Sequence, residues 1–187
     1  MSNLLPLTAP AVEPVGLQEA KLFLRLDTSD EDTFVAACIV AARQACESFT
    51  GRALISQTWQ LYLDQWPAQQ ILLPRPPLQA VTAIKTYDGD GVSTLVDPQS
   101  YWVDATALPG LVRRRGNAPW PRPGRAVAGI EITFVGGYGD SWNEVPAALR
   151  QGILMTVGYF FDHRDEQTTA LPAPVAALWQ PYRVMQL

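Results

Sequence analysis

Hydrophobic positions along this chain change period twice, and the changes divide it into segments. Leu17, Ala20 and Leu24 fall at i, i+3 and i+7, so residues 15–26 are expected to form a short amphipathic helix. The acidic run at 27–32 breaks it. Ser29 followed by Asp32 resembles a capping box, and acids suit the positive end of a helix dipole. A second helix is expected over about 30–49, with Phe34, Ala37, Cys38, Ala41, Ala45 and Phe49 as its buried stripe and Gly51 as its stop.

From residue 54 the period becomes two. Ile55, Trp59, Leu61 and Leu63 alternate with polar neighbours, as in a half-buried strand. After a proline-rich break at 74–77, strands at 81–87 and 92–96 flank Asp88-Gly89-Asp90-Gly91, a hairpin signal because glycine supplies positive φ. Short strands are expected at 101–104 and 111–114, a loop at 115–126, and a last strand through Ile130, Ile132 and Phe134. The period then returns to helical. Pro146 suits a first turn, and Leu149, Ile153, Val157 and Phe160 make a stripe through Phe161. Gly152 and Gly158 lie inside it. Each should cost about 1 kcal/mol against alanine, and close approach of another helix, such as the alanine-rich second one, is the expected compensation.

These elements predict an α+β, mainly helical fold: a helical bundle from both chain ends (15–53 plus 143–166) with an inserted β-rich subdomain (54–142). A flexible N-terminal arm (1–14) and a linker with an extended C-terminal tail (167–187) complete it. The tail carries prolines at 172, 174 and 181 between apolar residues that have no obvious core to join.

Composition adds little to this picture except at three points. The chain is 48% hydrophobic and 17% charged, which suits a globular protein, and its sixteen prolines call for long loops. No apolar run reaches the ~18 residues that span a bilayer, and the first 14 residues lack the charge of a signal peptide, so no membrane partner and a cytoplasmic site of synthesis are expected. Cys38 and Cys46 lie on one expected helix about 12 Å apart, too far for a disulfide.

Net charge is −4, unevenly placed. Residues 1–50 hold seven acids and three bases, whereas 105–130 hold Arg113, Arg114, Arg115, Arg122 and Arg125 and no acid. With Trp120 these arginines form an inter-subunit or DNA-facing loop on the sequence reading. They could meet phosphates, acids of a neighbouring subunit, or solvent.

Catalytic chemistry is sparse. The one histidine, His163, sits in a charged run at an expected helix end, where a positive charge is favourable. A zinc site or a Ser-His-Asp triad would have to use it, and no G-x-S-x-G elbow or phosphate-binding glycine loop is present. Asp88-Gly89-Asp90-Gly91 has the flavour of a calcium loop but lacks its further ligands. No catalytic residue, metal or cofactor is therefore expected. Two rival readings remain: a DNA-binding module using the arginine loop, and an enzyme with a cleft in the β insertion.

The opening VGLQEAKLFLRLDTSDEDTF, then ESFTGRALISQTW, the passage ITFVGGYGDSWNEVPAALRQGILMTVGYFFDHRDE and the terminal PYRVMQL come in an order that resembles the head–tail connector, or adaptor, proteins of long-tailed phages and phage-like gene transfer agents. The resemblance spans nearly the whole chain and is poorest at 113–125. It implies a non-enzymatic ring, usually of twelve subunits, in the neck between the portal and a head–tail stopper or tail-completion protein. Double-stranded DNA would pass through the ring without sequence recognition. It also implies a C-terminal arm docked on the portal, here with Val175, Leu178, Trp179, Tyr182, Arg183, Val184 and Leu187 as anchors.

Overall fold

The computed structural model describes residues 2–117, 119–164 and 171–184, and its chain separates into two compact units. One unit comprises residues 1–10 and 56–137 and is built from β-strands. The other comprises 11–55 and 138–187 and is built from helices.

The strand unit holds β1 (Ser2–Pro6), β2 (Gln57–Leu63), β3 (Ile71–Leu73), β4 (Leu78–Tyr87), β5 (Ser93–Leu95), β6 (Tyr101–Asp104), β7 (Gly110–Arg114) and β8 (Ile130–Gly136). They make an antiparallel five-stranded sheet in the order β1-β2-β8-β4-β5 and a three-stranded sheet in the order β3-β7-β6. Alternation decides which faces meet. Trp59, Leu61, Leu63, Ile130, Ile132 and Phe134 from the larger sheet share one core with Ile71, Leu73, Tyr101 and Val112 from the smaller. The hairpin forms as expected: the Asp88 carboxylate accepts from the amides of Asp90 (3.0 Å) and Val92 (2.8 Å), and Gly91 takes φ 82°.

The helical unit holds α1 (Leu17–Leu24), α2 (Asp32–Thr50), α3 (Ala147–Asp162) and α4 (Ala173–Trp179). Gly51 ends α2 at φ 74°, its amide donating to the Glu47 carbonyl at 2.9 Å. The core joins Val35, Cys38, Ile39, Ala42 and Cys46 of α2 to Leu149, Ile153 and Val157 of α3 and to Val175 and Trp179 of α4. Both cysteines are buried, unpaired thiols.

Several expectations need correction. The fold is α+β but not a mainly helical bundle: among the described residues helix makes up 34% and strand 26%, with two sheets. Short strands broken by Pro and Gly weigh little in a sequence, yet together they build a unit with its own core. Residues 2–6, expected in a flexible arm, form β1, whose main chain pairs with β2 from Ser2↔Leu63 to Pro6↔Trp59. Asp32 starts α2 without a side-chain cap; the capping box sits instead at Ser141 and Glu144.

The buried stripe of α2 is also rotated. Val35, Ile39 and Ala42 are buried while Ala37 and Ala41 are exposed. Larger side chains gain more from leaving water. The polar residues that share their face are satisfied in place: Arg43 Nη1 donates to Glu47 Oε2 and Arg43 Nε to Glu13 Oε2, each at 2.8 Å. Gly152 and Gly158 do compensate through close contacts, but not with α2. A Cβ at Gly152 would run into Trp179 Nε1, and one at Gly158 would lie 3.2 Å from Phe23 Cε1.

Candidate interaction surfaces

The C-terminal segment is built into the helical unit. Pro172 precedes α4 with its fixed φ, and Val175 and Trp179, four residues apart, face inward and are fully buried. Trp179 lies over Gly152, donates Nε1–H to the Leu149 carbonyl at 3.3 Å and packs on Phe49 at 6.0 Å between ring centroids. The segment then runs along the end of α2. Arg52 Nε donates to the Tyr182 carbonyl at 2.5 Å, and the Val184 amide to the Thr50 carbonyl at 2.8 Å.

Leu178, Tyr182 and Val184 are half-buried, whereas Arg183 is exposed with its guanidinium 5.5 Å from the centre of the Phe49 ring. Ser48, Phe49, Gly51, Pro181, Arg183 and Val184 line an open cleft of about 690 Å³. Leu187 and the 165–170 stretch of the linker lie outside the described residues.

The arginine-rich segment does not form one cluster. Arg113 and Arg114 stand on β7 opposite Trp102 and Tyr101 of β6, and so point to opposite faces of the small sheet. On the outward face Arg113 Nη2 donates to Gln70 Oε1 at 2.8 Å, and Arg115 lies 3.4 Å over the exposed Trp102 ring. Arg114 is half-buried on the other face.

Trp120, Arg122 and Arg125 belong to a second place, a cleft of about 700 Å³ over the loop that follows β7. Trp120 stacks on Trp66 at 4.3 Å and 9°, and Trp66 Nε1 donates to the Pro121 carbonyl at 2.7 Å. Arg125 lies 4.1 Å over Tyr87 and donates from Nε and Nη2 to the Ala128 carbonyl. The Gly124 amide reaches the Tyr87 carbonyl at 2.8 Å, so close that a Cβ at Gly124 would sit 2.7 Å from Asp88 Cα. Arg122 is exposed. No acid pairs with Arg113, Arg114, Arg115 or Arg122 among the described residues.

Sequence reading missed Glu131. It is 3% exposed on the face of β8 away from the core. It accepts from the hydroxyls of Tyr87 (2.5 Å) and Tyr62 (3.2 Å) and from Lys85 Nζ (3.1 Å). Burial pushes its carboxyl upward, but the hydrogen bonds of Tyr87 and Lys85, the Lys85 charge and the Tyr62 hydroxyl together hold it below the usual range. The same bond to Glu131, with burial, pushes the Tyr87 phenol up to about 12. The available signal was one acid among the apolar residues of a strand, which must be paired if it is buried.

Little of this is reactive chemistry. His163 stacks on Tyr159 at 4.3 Å, with Nδ1 2.9 Å from the Tyr159 carbonyl at the end of α3. No group of three or more His, Cys, Asp or Glu could hold a metal among the described residues, and no helix there is long and apolar enough to cross a membrane.

Comparison with known proteins gives the arrangement a context. The family model described as "Head completion protein" matches residues 15–171. A chain in the neck of an empty gene transfer agent particle, computed with C6 symmetry, is similar with TM-score 0.84 and 28% identity over 99% of this chain and 97% of that one. A chain of the native gene transfer agent virion follows at 0.83 and 27%, covering 98% and 96%. One from the native neck, computed with C12 symmetry, gives 0.74 and 25%, covering 99% and 97%. No curated protein sequence matches the chain.

Proposed function

The chain belongs to the head completion protein family, and on that premise we propose that it is a structural subunit of the neck of a phage-like particle, one copy of a closed ring between the portal and the tail. The observation that carries this reading is the end-to-end likeness in fold to a neck chain of a gene transfer agent particle. Twelve copies agree with the symmetry under which one such neck was computed, and six is a divisor of twelve. Double-stranded DNA passes through the centre without sequence recognition, and a stopper or tail-completion protein binds the far side.

The chemistry of the chain supports a structural role over catalysis. An enzyme gathers reacting groups in a pocket. Here the buried polar groups around Glu131 hold one another.

In this reading the C-terminal segment docks on the portal in two parts. Val175 and Trp179 are the internal anchor, and they present Leu178, Tyr182, Arg183 and Val184, followed in sequence by Leu187, to the portal. The test is to produce particles lacking this chain and image them. Tailless heads restored by the wild-type chain are the expected outcome. Arg183→Glu with Val184→Asp should give a folded protein that no longer associates with portal. Normally tailed particles without the chain sink the structural role, and wild-type portal binding by the double variant ends the docking assignment.

A further inference from the structure

A rotational ring of identical subunits needs two different faces on each copy, one to give and one to receive. Two surfaces on this chain suit each other in that way. The outward face of the small sheet carries Leu72 (48% exposed), Leu111 and Trp102 (58% exposed) beside Arg113 and Arg115. Along α1 and α2 of the helical unit runs an open groove of about 580 Å³, lined by Val12, Val15, Leu17, Ile39, Val40 and Trp142. Glu13 and Glu19 also line it, held by Arg43 and Arg150.

Charge divides in the same direction. The strand unit has seven basic and six acidic residues, net +1, and the helical unit has seven and twelve, net −5, which together give the −4 of the chain. Bare phosphate would use the arginines but leave Trp102 and Leu72 in water, whereas a groove of aliphatic side chains in an acidic unit takes both kinds of group.

Building on the ring reading, we infer that the Trp102 face of the small sheet in one copy seats in the Val12–Val40–Trp142 groove of a second copy. Trp102 enters the groove as the aromatic anchor, Leu72 covers its lip, and Arg113 and Arg115 face the part-exposed carboxylates of Glu13 and Glu19 at its edge. Aromatic and arginine residues are the side chains that most often dominate such contacts.

The test uses the full chain in assembled particles, with p-benzoylphenylalanine at position 102 and isotopically heavy and light copies mixed before assembly. Illumination should give heavy–light adducts that map to residues 12–19, 36–40 or 142. Adducts on the portal, a tail protein or DNA, or elsewhere on the neighbouring copy, overturn the inference while leaving the ring reading intact. Absence of any ring in micrographs of the same particles removes both. Trp102→Ala and Val40→Asp, each at an exposed position, should reduce incorporation into particles at least tenfold while the chain stays folded, with a melting temperature lowered by no more than a few degrees. Wild-type incorporation of both variants also overturns the inference.

Discussion

The C-terminal segment and the arginine-rich segment both read in sequence as reaching outward, and the fold treats them differently. The first is apolar, so every large side chain able to turn inward lowers the free energy by doing so, and Gly152 leaves a slot for the Nε1 edge of Trp179 against α3. The second is cationic. A guanidinium cannot leave water without a partner, so Arg113, Arg115 and Arg122 stay on the surface, and Arg125 goes half under by spending its donors on Ala128. The apolar tail, with no visible core to join in sequence, completes a core made by helices from both chain ends. An arginine cluster in sequence need not be a cluster in space, since a strand sends neighbours to opposite faces.

The largest effect that would break this contrast is on Trp179. Trp179→Ala should cost the helical unit about 3–5 kcal/mol, seen as a lower midpoint in thermal or urea unfolding. A midpoint within error of wild type would mean that the tail is an arm after all. Gly152→Ala reaches the same slot from its floor and should destabilise by about 1–3 kcal/mol through overpacking.

A smaller effect separates the strand unit by pH. Glu131 has a lowered pKa in the folded state, so its contribution is complete above the ordinary carboxylate value of 4.5 and is lost as pH falls through its lower folded value. Tyr87 is raised, so its contribution is complete below 10 and is lost as pH rises toward about 12. Urea midpoints followed across pH should therefore sag at both extremes. In Glu131→Gln the acid sag should shrink, and an unaltered profile would remove Glu131 from the account.

The smallest effect belongs to the surface arginines. Arg113→Ala with Arg115→Ala should shift stability by only about 0.5–1 kcal/mol, the worth of an exposed cation–π contact. A loss as large as that of Trp179→Ala would mean that the arginines hold the fold, and the contrast would fail.

Much of this organisation was legible from the chain. Period-two alternation marked β2 and β8, Asp88-Gly89-Asp90-Gly91 marked its hairpin, and Gly51 marked the end of α2, because each rests on local backbone preference or on the side-chain repeat of one element. β1 and β3 were missed: a short edge strand is held by main-chain pairing with a distant partner and carries little pattern of its own. For the candidate surfaces, residue types were legible and grouping was not. Arg113 and Arg114 are adjacent in sequence and opposite in space, while Trp102 and Arg115 meet only because β6 pairs with β7.

By itself, then, the sequence determined the types of most elements, though not of β1, β3 and α4, the absence of a histidine-rich site, and an acid-rich stretch at 1–50 against an arginine-rich one at 105–130, all of which follow from composition and local spacing. Only the tertiary structure decided that Val35 and Ile39, and not Ala37 and Ala41, face the core, that Glu131 is buried, and that Trp179 belongs inside while Trp102 stands in water. Those outcomes depend on which distant residue fills each space. A partner such as Gly152 for Trp179, 27 positions away, or Tyr87 for Glu131, is chosen by packing and hydrogen bonding across elements, which no local pattern encodes.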